Sequence, residues 1–223
     1  MIGRIGQELK YDIKSLGFNF WLPPLISLVF VIITYPVAAV CLQNGWPNEH
    51  TLPLLEMYLP VMGALWGIFS LQDMLEETGG EIYFSYRRTR LYWGVWRQLR
   101  FFLFYAALAA LVCLAVGPMI GQSLLPHQYL LYLCQGFFLM GLGFLGMAFF
   151  GKAGDALILV ALYVCAHILF GQDGATWSQH TTIYLGNLNM TATTWLEITP
   201  LMIRAAALGA VCFIAGHIRL RYR

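Results

Sequence analysis

The stretch Glu77–Arg100, ETGGEIYFSYRRTRLYWGVWRQLR, decides how this chain is read, because it sets the largest charged segment of the sequence between two long apolar runs. Two glutamates and a glycine pair open it, and five arginines follow. Outward from it the chain is oily. Hydrophobic residues make up 59% and charged residues 11% of 223 positions, too little polar surface to coat a water-soluble globule of this size. The composition therefore predicts an integral membrane protein. A net charge of +2 on so apolar a chain excludes nucleic acid as the partner. Cys41, Cys113, Cys134, Cys165 and Cys212 all lie inside apolar runs and read as small buried hydrophobes.

A helix needs about 20 apolar residues to cross hydrocarbon. Six runs approach that length, 20–42, 54–71, 101–120, 129–150, 156–170 and 198–218, with the fifth short. The expected fold is all-α: a single transmembrane domain of six helices, residues 1–223. Residues 1–19 precede it as an amphipathic helix in the interface plane, because Ile2, Ile5, Leu9, Ile13 and Leu16 recur at helical spacing among Arg4, Glu8, Lys10 and Lys14. Pro23 and Pro24 are expected to separate that helix from the first span.

Cations set the orientation, since loops retained in the cytoplasm collect Lys and Arg. Arg4, Lys10 and Lys14 precede the first span, the five arginines lie between the second and third, Lys152 lies between the fourth and fifth, and Arg219, Arg221 and Arg223 close the chain. The other three loops hold none. The expected localisation is a multi-pass plasma-membrane protein with both termini cytoplasmic. Trp21, Trp93 and Trp96 then fall at the inner boundary, and Trp46, Trp177 and Trp195 at the outer one.

Two phosphate-binding patterns occur and are refused. GLGFLG, Gly141–Gly146, lacks the strand a dinucleotide fingerprint needs, and GMAFFGKA, Gly146–Ala153, has Ala where a P-loop needs Ser or Thr for magnesium. Glycines that let helices approach closely explain both better, as do Ala106/Ala110 and Ala205/Gly209, the last pair being also a candidate for close approach between subunits. Glu76-Glu77 brings to mind intramembrane CAAX-type proteases, but their arginine position holds Glu81 and their histidine motif is missing. No Gly-x-Ser-Gly element occurs, so the chain is not expected to be an enzyme. The intramembrane polar residues Glu56, Gln135, His167 and Arg204 remain as candidate translocation or interhelical groups, with Glu56 or Glu197 placed to pair with Arg204. No metal-ligand spacing is visible among the histidines.

The segment after span two resembles that of type-two ABC-exporter permeases, where Gly-x-Glu, a hydrophobic pair, Ser, a Pro-x-Ser-Arg turn and a later cation recur. Gly79 or Gly80, Glu81, Tyr83 and Phe84, Ser85, Thr89 and Arg90, and Arg97 occupy those places, while Arg87 stands where the family has Pro. The resemblance implies a dimeric permease with a cytosolic coupling helix within residues 73–100 and an extracellular, re-entrant segment at 171–197. Separate ABC ATPase subunits, carrying ATP and Mg, would dock on Glu77, Gly79, Gly80, Glu81, Tyr83, Phe84, Arg88 and Arg90. The chain itself would hold no cofactor; its partners would be the ATPases, a second permease subunit and membrane lipids. The alternatives are a non-catalytic sensor or scaffold subunit, and behind it an intramembrane enzyme.

Overall fold

A computed structural model describes residues 10–43, 51–76, 94, 96–116, 126–170 and 195–222. Seven helices and no strand occur among them. We number them α1 (residues 10–16), α2 (Phe18–Gln43), α3 (Thr51–Leu75), α4 (Arg97–Val116), α5 (Pro126–Phe150), α6 (Ala153–Phe170) and α7 (Trp195–Arg221).

Four stretches are long and apolar enough to cross a membrane: Phe18–Pro36, Arg97–Val116, Gln128–Phe150 and Thr199–Arg221. Of the six expected crossings, the second and fifth differ from these. The apolar part of α6 is short, Ala153–Ala166. Helix α3 is long enough, but it carries Glu56, Gln72 and Asp73 and lies against α2, α4, α5 and α6, so its neighbours supply much of its apolar surroundings. The lipid-facing surface is legible on α4. Phe101, Tyr105, Ala109, Val112 and Val116 are buried, while Leu103, Leu111 and Leu114 on the opposite face are 64 to 72% exposed. In water such leucines would each forgo on the order of 1 to 2 kcal/mol of burial energy; hydrocarbon removes that penalty. Exposed apolar rows on α2 (Leu28, Val29, Ile32, Ile33) and α7 (Ile203, Val211, Ile214, Ile218) repeat the pattern.

Helix α5 lies at the centre, against α3, α4, α6 and α7. Its glycines are the reason. A Cβ at Gly141 would stand 2.9 Å from the Gly209 carbonyl oxygen of α7, one at Gly143 3.0 Å from the Ala64 carbonyl oxygen of α3, and one at Gly146 3.1 Å from Ala156 of α6. At Gly136 a Cβ would overlap the Tyr105 ring of α4. Each glycine thus admits a different neighbour, which is the close packing expected of the GLGFLG run. Ala205 and Gly209 are spent the same way inside the chain: Ala205 is fully buried, and Gly209 abuts Phe137 and Phe138. That pair is therefore not the subunit contact it was expected to offer.

The prolines of α2 do not break the chain where expected. The break is one residue long, at Gly17, whose φ of +53° ends α1 in the left-handed region. Its N–H still reaches the Ile13 carbonyl at 3.2 Å. Pro23 and Pro24 lie within α2 instead. Pro24 has no N–H to give the Phe20 carbonyl, and the Trp66 indole of α3 donates to that carbonyl at 3.2 Å. A side chain from the neighbouring helix replaces the lost backbone bond.

Candidate functional site

The ends of α1, α3 and α4 meet on a buried arginine. Helix α4 turns one stripe inward, Phe101, Tyr105 and Ala109 at four-residue intervals, and Arg97 continues that stripe by one more turn. A fully buried cation must be compensated, because desolvating an unpaired charge costs several kcal/mol. Asp73, in the last turn of α3, supplies a two-point fork: Arg97 Nη1 donates to Oδ1 and Nη2 to Oδ2, each at 2.9 Å. From α1, Ser15 Oγ accepts from Arg97 Nη2 at 2.8 Å, and Asp12 lies 3.1 Å from Arg97 Nε. The second Asp12 oxygen is 2.8 Å from Arg100 Nη2, one turn further along α4. The Asp12 contacts are ion pairs without hydrogen-bond alignment, whereas the Asp73 fork is aligned. Among the described residues two aspartates, Asp12 and Asp73, face two arginines, Arg97 and Arg100.

Beside it a second chain of bonds runs from α2 to α6. Asn19 Nδ2 donates to Gln72 Oε1 at 3.0 Å, Gln72 Nε2 donates to Glu76 Oε2 at 2.8 Å, and Glu76 Oε1 accepts from the Ala153 N–H. One helical turn above, Gln98 Nε2 donates to Ser70 Oγ at 2.5 Å and to the Gly67 carbonyl at 3.0 Å. The last turns of α3 therefore hold the near ends of α1, α2, α4 and α6 together. They also immediately precede residues 77–93 in the chain.

The intramembrane candidates separate in the fold. Gln135 Nε2 of α5 donates to Glu56 Oε1 of α3 at 2.7 Å, with both residues buried. The bond joins α5 to α3. Near it, the Tyr105 hydroxyl donates to the Tyr132 carbonyl at 2.7 Å and the Tyr129 hydroxyl to the Ala106 carbonyl at 2.9 Å, tying α4 to α5. Arg204 is half-buried on α7 and within electrostatic reach of Tyr163 on α6. His167 falls in α6 with its side chain outside the described residues. The expected docking residues Glu77, Gly79, Gly80, Glu81, Tyr83, Phe84, Arg88 and Arg90 all lie outside the described residues.

Asp12 was not among the residues the sequence singled out. Its signal was present: it stands four residues before Leu16 on the buried face of α1, a carboxylate where an interfacial helix otherwise places apolar groups. No group of three or more His, Cys, Asp and Glu side chains that could hold a metal ion occurs among the described residues. What these bonds can do is mechanical: a largely buried ion-pair cluster fixes the angles between helix ends. No family model matches the chain, no curated protein matches it, and no solved structure matches its fold.

Proposed function

We propose that the chain is the permease subunit of an ABC exporter, crossing the membrane six times, pairing with a second permease subunit, and driven by separate ATPase subunits that grip residues 77–90. The observation that carries this reading is the Arg97 cluster. It welds α1, α3 and α4 at residues that flank the gripped segment in sequence, so force on that segment would reach the spans without loss in a loose joint. A charged segment that only fixed topology or bound anionic lipid would not need its stems joined by a buried ion cluster.

The cations support the orientation. Lys10, Lys14, Arg97, Arg100, Lys152, Arg219 and Arg221 lie at the bundle end that carries the cluster, and Arg204 lies towards the other. By the cation excess of cytoplasmic loops, that end faces the cytosol of a cell whose plasma membrane holds the protein. ATP and Mg belong to the partner, and Glu56, Gln135, His167 and Arg204 are the candidate polar groups of a translocation path in this reading.

Co-purification tests the reading. A cognate ATPase should bind the wild-type chain, and Glu81→Arg or Tyr83→Ala should weaken the complex at least tenfold. Unchanged binding by both variants would show that the motor grips elsewhere. Turnover of a lipid or peptide by the purified chain alone would make it an enzyme.

A further inference from the structure

The start of α6 lacks a cap of its own. Lys152 accepts the first bond of the helix, from the Ala156 N–H at 3.2 Å, which makes Lys152 the N-cap residue and Ala153 the first helical one. A lysine there offers no acceptor to the N-terminal N–H groups, and its charge opposes the positive end of the helix dipole. Gly151, with φ of +73°, turns the chain so tightly that only two residues separate α5 from α6. No loop residue is left to supply the acceptor. It comes from 77 positions earlier: Glu76 Oε1 takes the Ala153 N–H. Glu76 Oε2 is held by Gln72, and Gln72 by Asn19, so the carboxylate is oriented by α3 and α2 together.

We propose that Glu76 is an N-cap supplied by α3 to α6, a positioning residue that makes the first turn of α6 follow the last turn of α3 when residues 77–93 are displaced. The cap stands on the geometry alone; its use in transport rests on the permease reading above. The carboxylate sits where the helix dipole favours negative charge, beside Asp155 in the same first turn. The α3–α6 contact also has an apolar part, through Ile68, Leu71, Ala156 and Val160. Apolar contact tolerates sliding; a directed bond to one N–H does not.

The test uses the full chain in lipid nanodiscs. The first N–H of a helix has no intrahelical acceptor and should exchange with solvent freely, so slow hydrogen exchange at Ala153 in the wild type is itself a signature of the cap. Glu76→Ala should speed that exchange about fivefold to tenfold, the scale of a lost cap, and Glu76→Gln, which keeps an acceptor oxygen, only about twofold. Lys152→Asn in the Glu76→Ala background supplies a local cap and should restore slow exchange along the first turn of α6. Spin labels on the exposed positions Leu103 of α4 and Ile158 of α6 read the coupling. The wild type should give one narrow distance distribution, Glu76→Ala a broad one, and the Lys152→Asn double variant should stay broad although its exchange is restored. Wild-type exchange in Glu76→Ala would overturn the cap, and a narrow distribution in either variant would overturn the coupling. If all these results hold and no ATPase binds residues 77–93, the permease reading fails and the cap stands.

Discussion

Arg97→Met is the most informative single change, because it removes the cation and leaves its partners in place. Asp73 loses both arms of its fork, and Asp12, only 2% exposed in its side chain, loses one of the two arginines it faces. Breaking a buried pair from one side costs about 3 to 5 kcal/mol, because a charge is left desolvated without compensation. Replacing both members of a buried pair by apolar groups is often near neutral. Asp73→Leu added to Arg97→Met should therefore recover most of the loss, to within about 1 to 2 kcal/mol of wild type. Arg97→Lys keeps the charge but cannot make the two-point fork, and an intermediate cost of about 1 to 2 kcal/mol is expected. Unfolding by sodium dodecyl sulfate in mixed micelles, followed by helical circular dichroism, gives all three numbers on one scale. If Arg97→Met costs less than about 1 kcal/mol, or if the double variant is as damaged as the single one, charge compensation is not what holds the cluster.

Further changes probe other parts of the bundle. Trp66→Phe should cost about 1 to 3 kcal/mol by orphaning the Phe20 carbonyl, and Pro24→Ala should lower that cost by restoring a backbone N–H to it; a double-mutant cycle checks the coupling. Gly67→Ala, whose Cβ would meet the Met140 carbonyl oxygen at 2.6 Å, should destabilise by about 1 to 3 kcal/mol, whereas Gly154→Ala, with open space around it, should stabilise by about 0.5 kcal/mol. Thermal unfolding of the two glycine variants should move in opposite directions. Gln135→Leu withdraws a donor from the buried Glu56 and should cost about 2 to 3 kcal/mol in the same detergent titration.

The residues behind these predictions mark what a sequence can and cannot disclose. Apolar runs locate hydrocarbon, so they found the helices but cut them short. Asp73 and Arg97 were assigned to the segment between spans, yet they belong to the last turn of α3 and the first of α4. A helix continues past the hydrocarbon wherever its polar side chains find partners, and hydropathy falls before the helix ends. The glycine run of α5 was legible as close packing because glycine in an apolar helix has few other uses, but which neighbour each glycine admits depends on the packing of four helices. The Gln135 contact was legible in kind and not in partner. Glu76 and Ala153, 77 positions apart, share no local pattern, and only the folded register brings them together. Pro23 and Pro24 misled because the expected break assumed that α2 had to satisfy its own backbone, whereas α3 does so through Trp66.

The central claim is that a separate motor holds residues 77–90 from the cytosol, and crosslinking tests it most directly. A photoreactive amino acid at position 84 in the full-length chain, activated in intact cells and read by mass spectrometry, should capture a polypeptide carrying Walker motifs, and one at position 46 should not. Capture of lipid alone at position 84, or of the ATPase from position 46, would contradict the account.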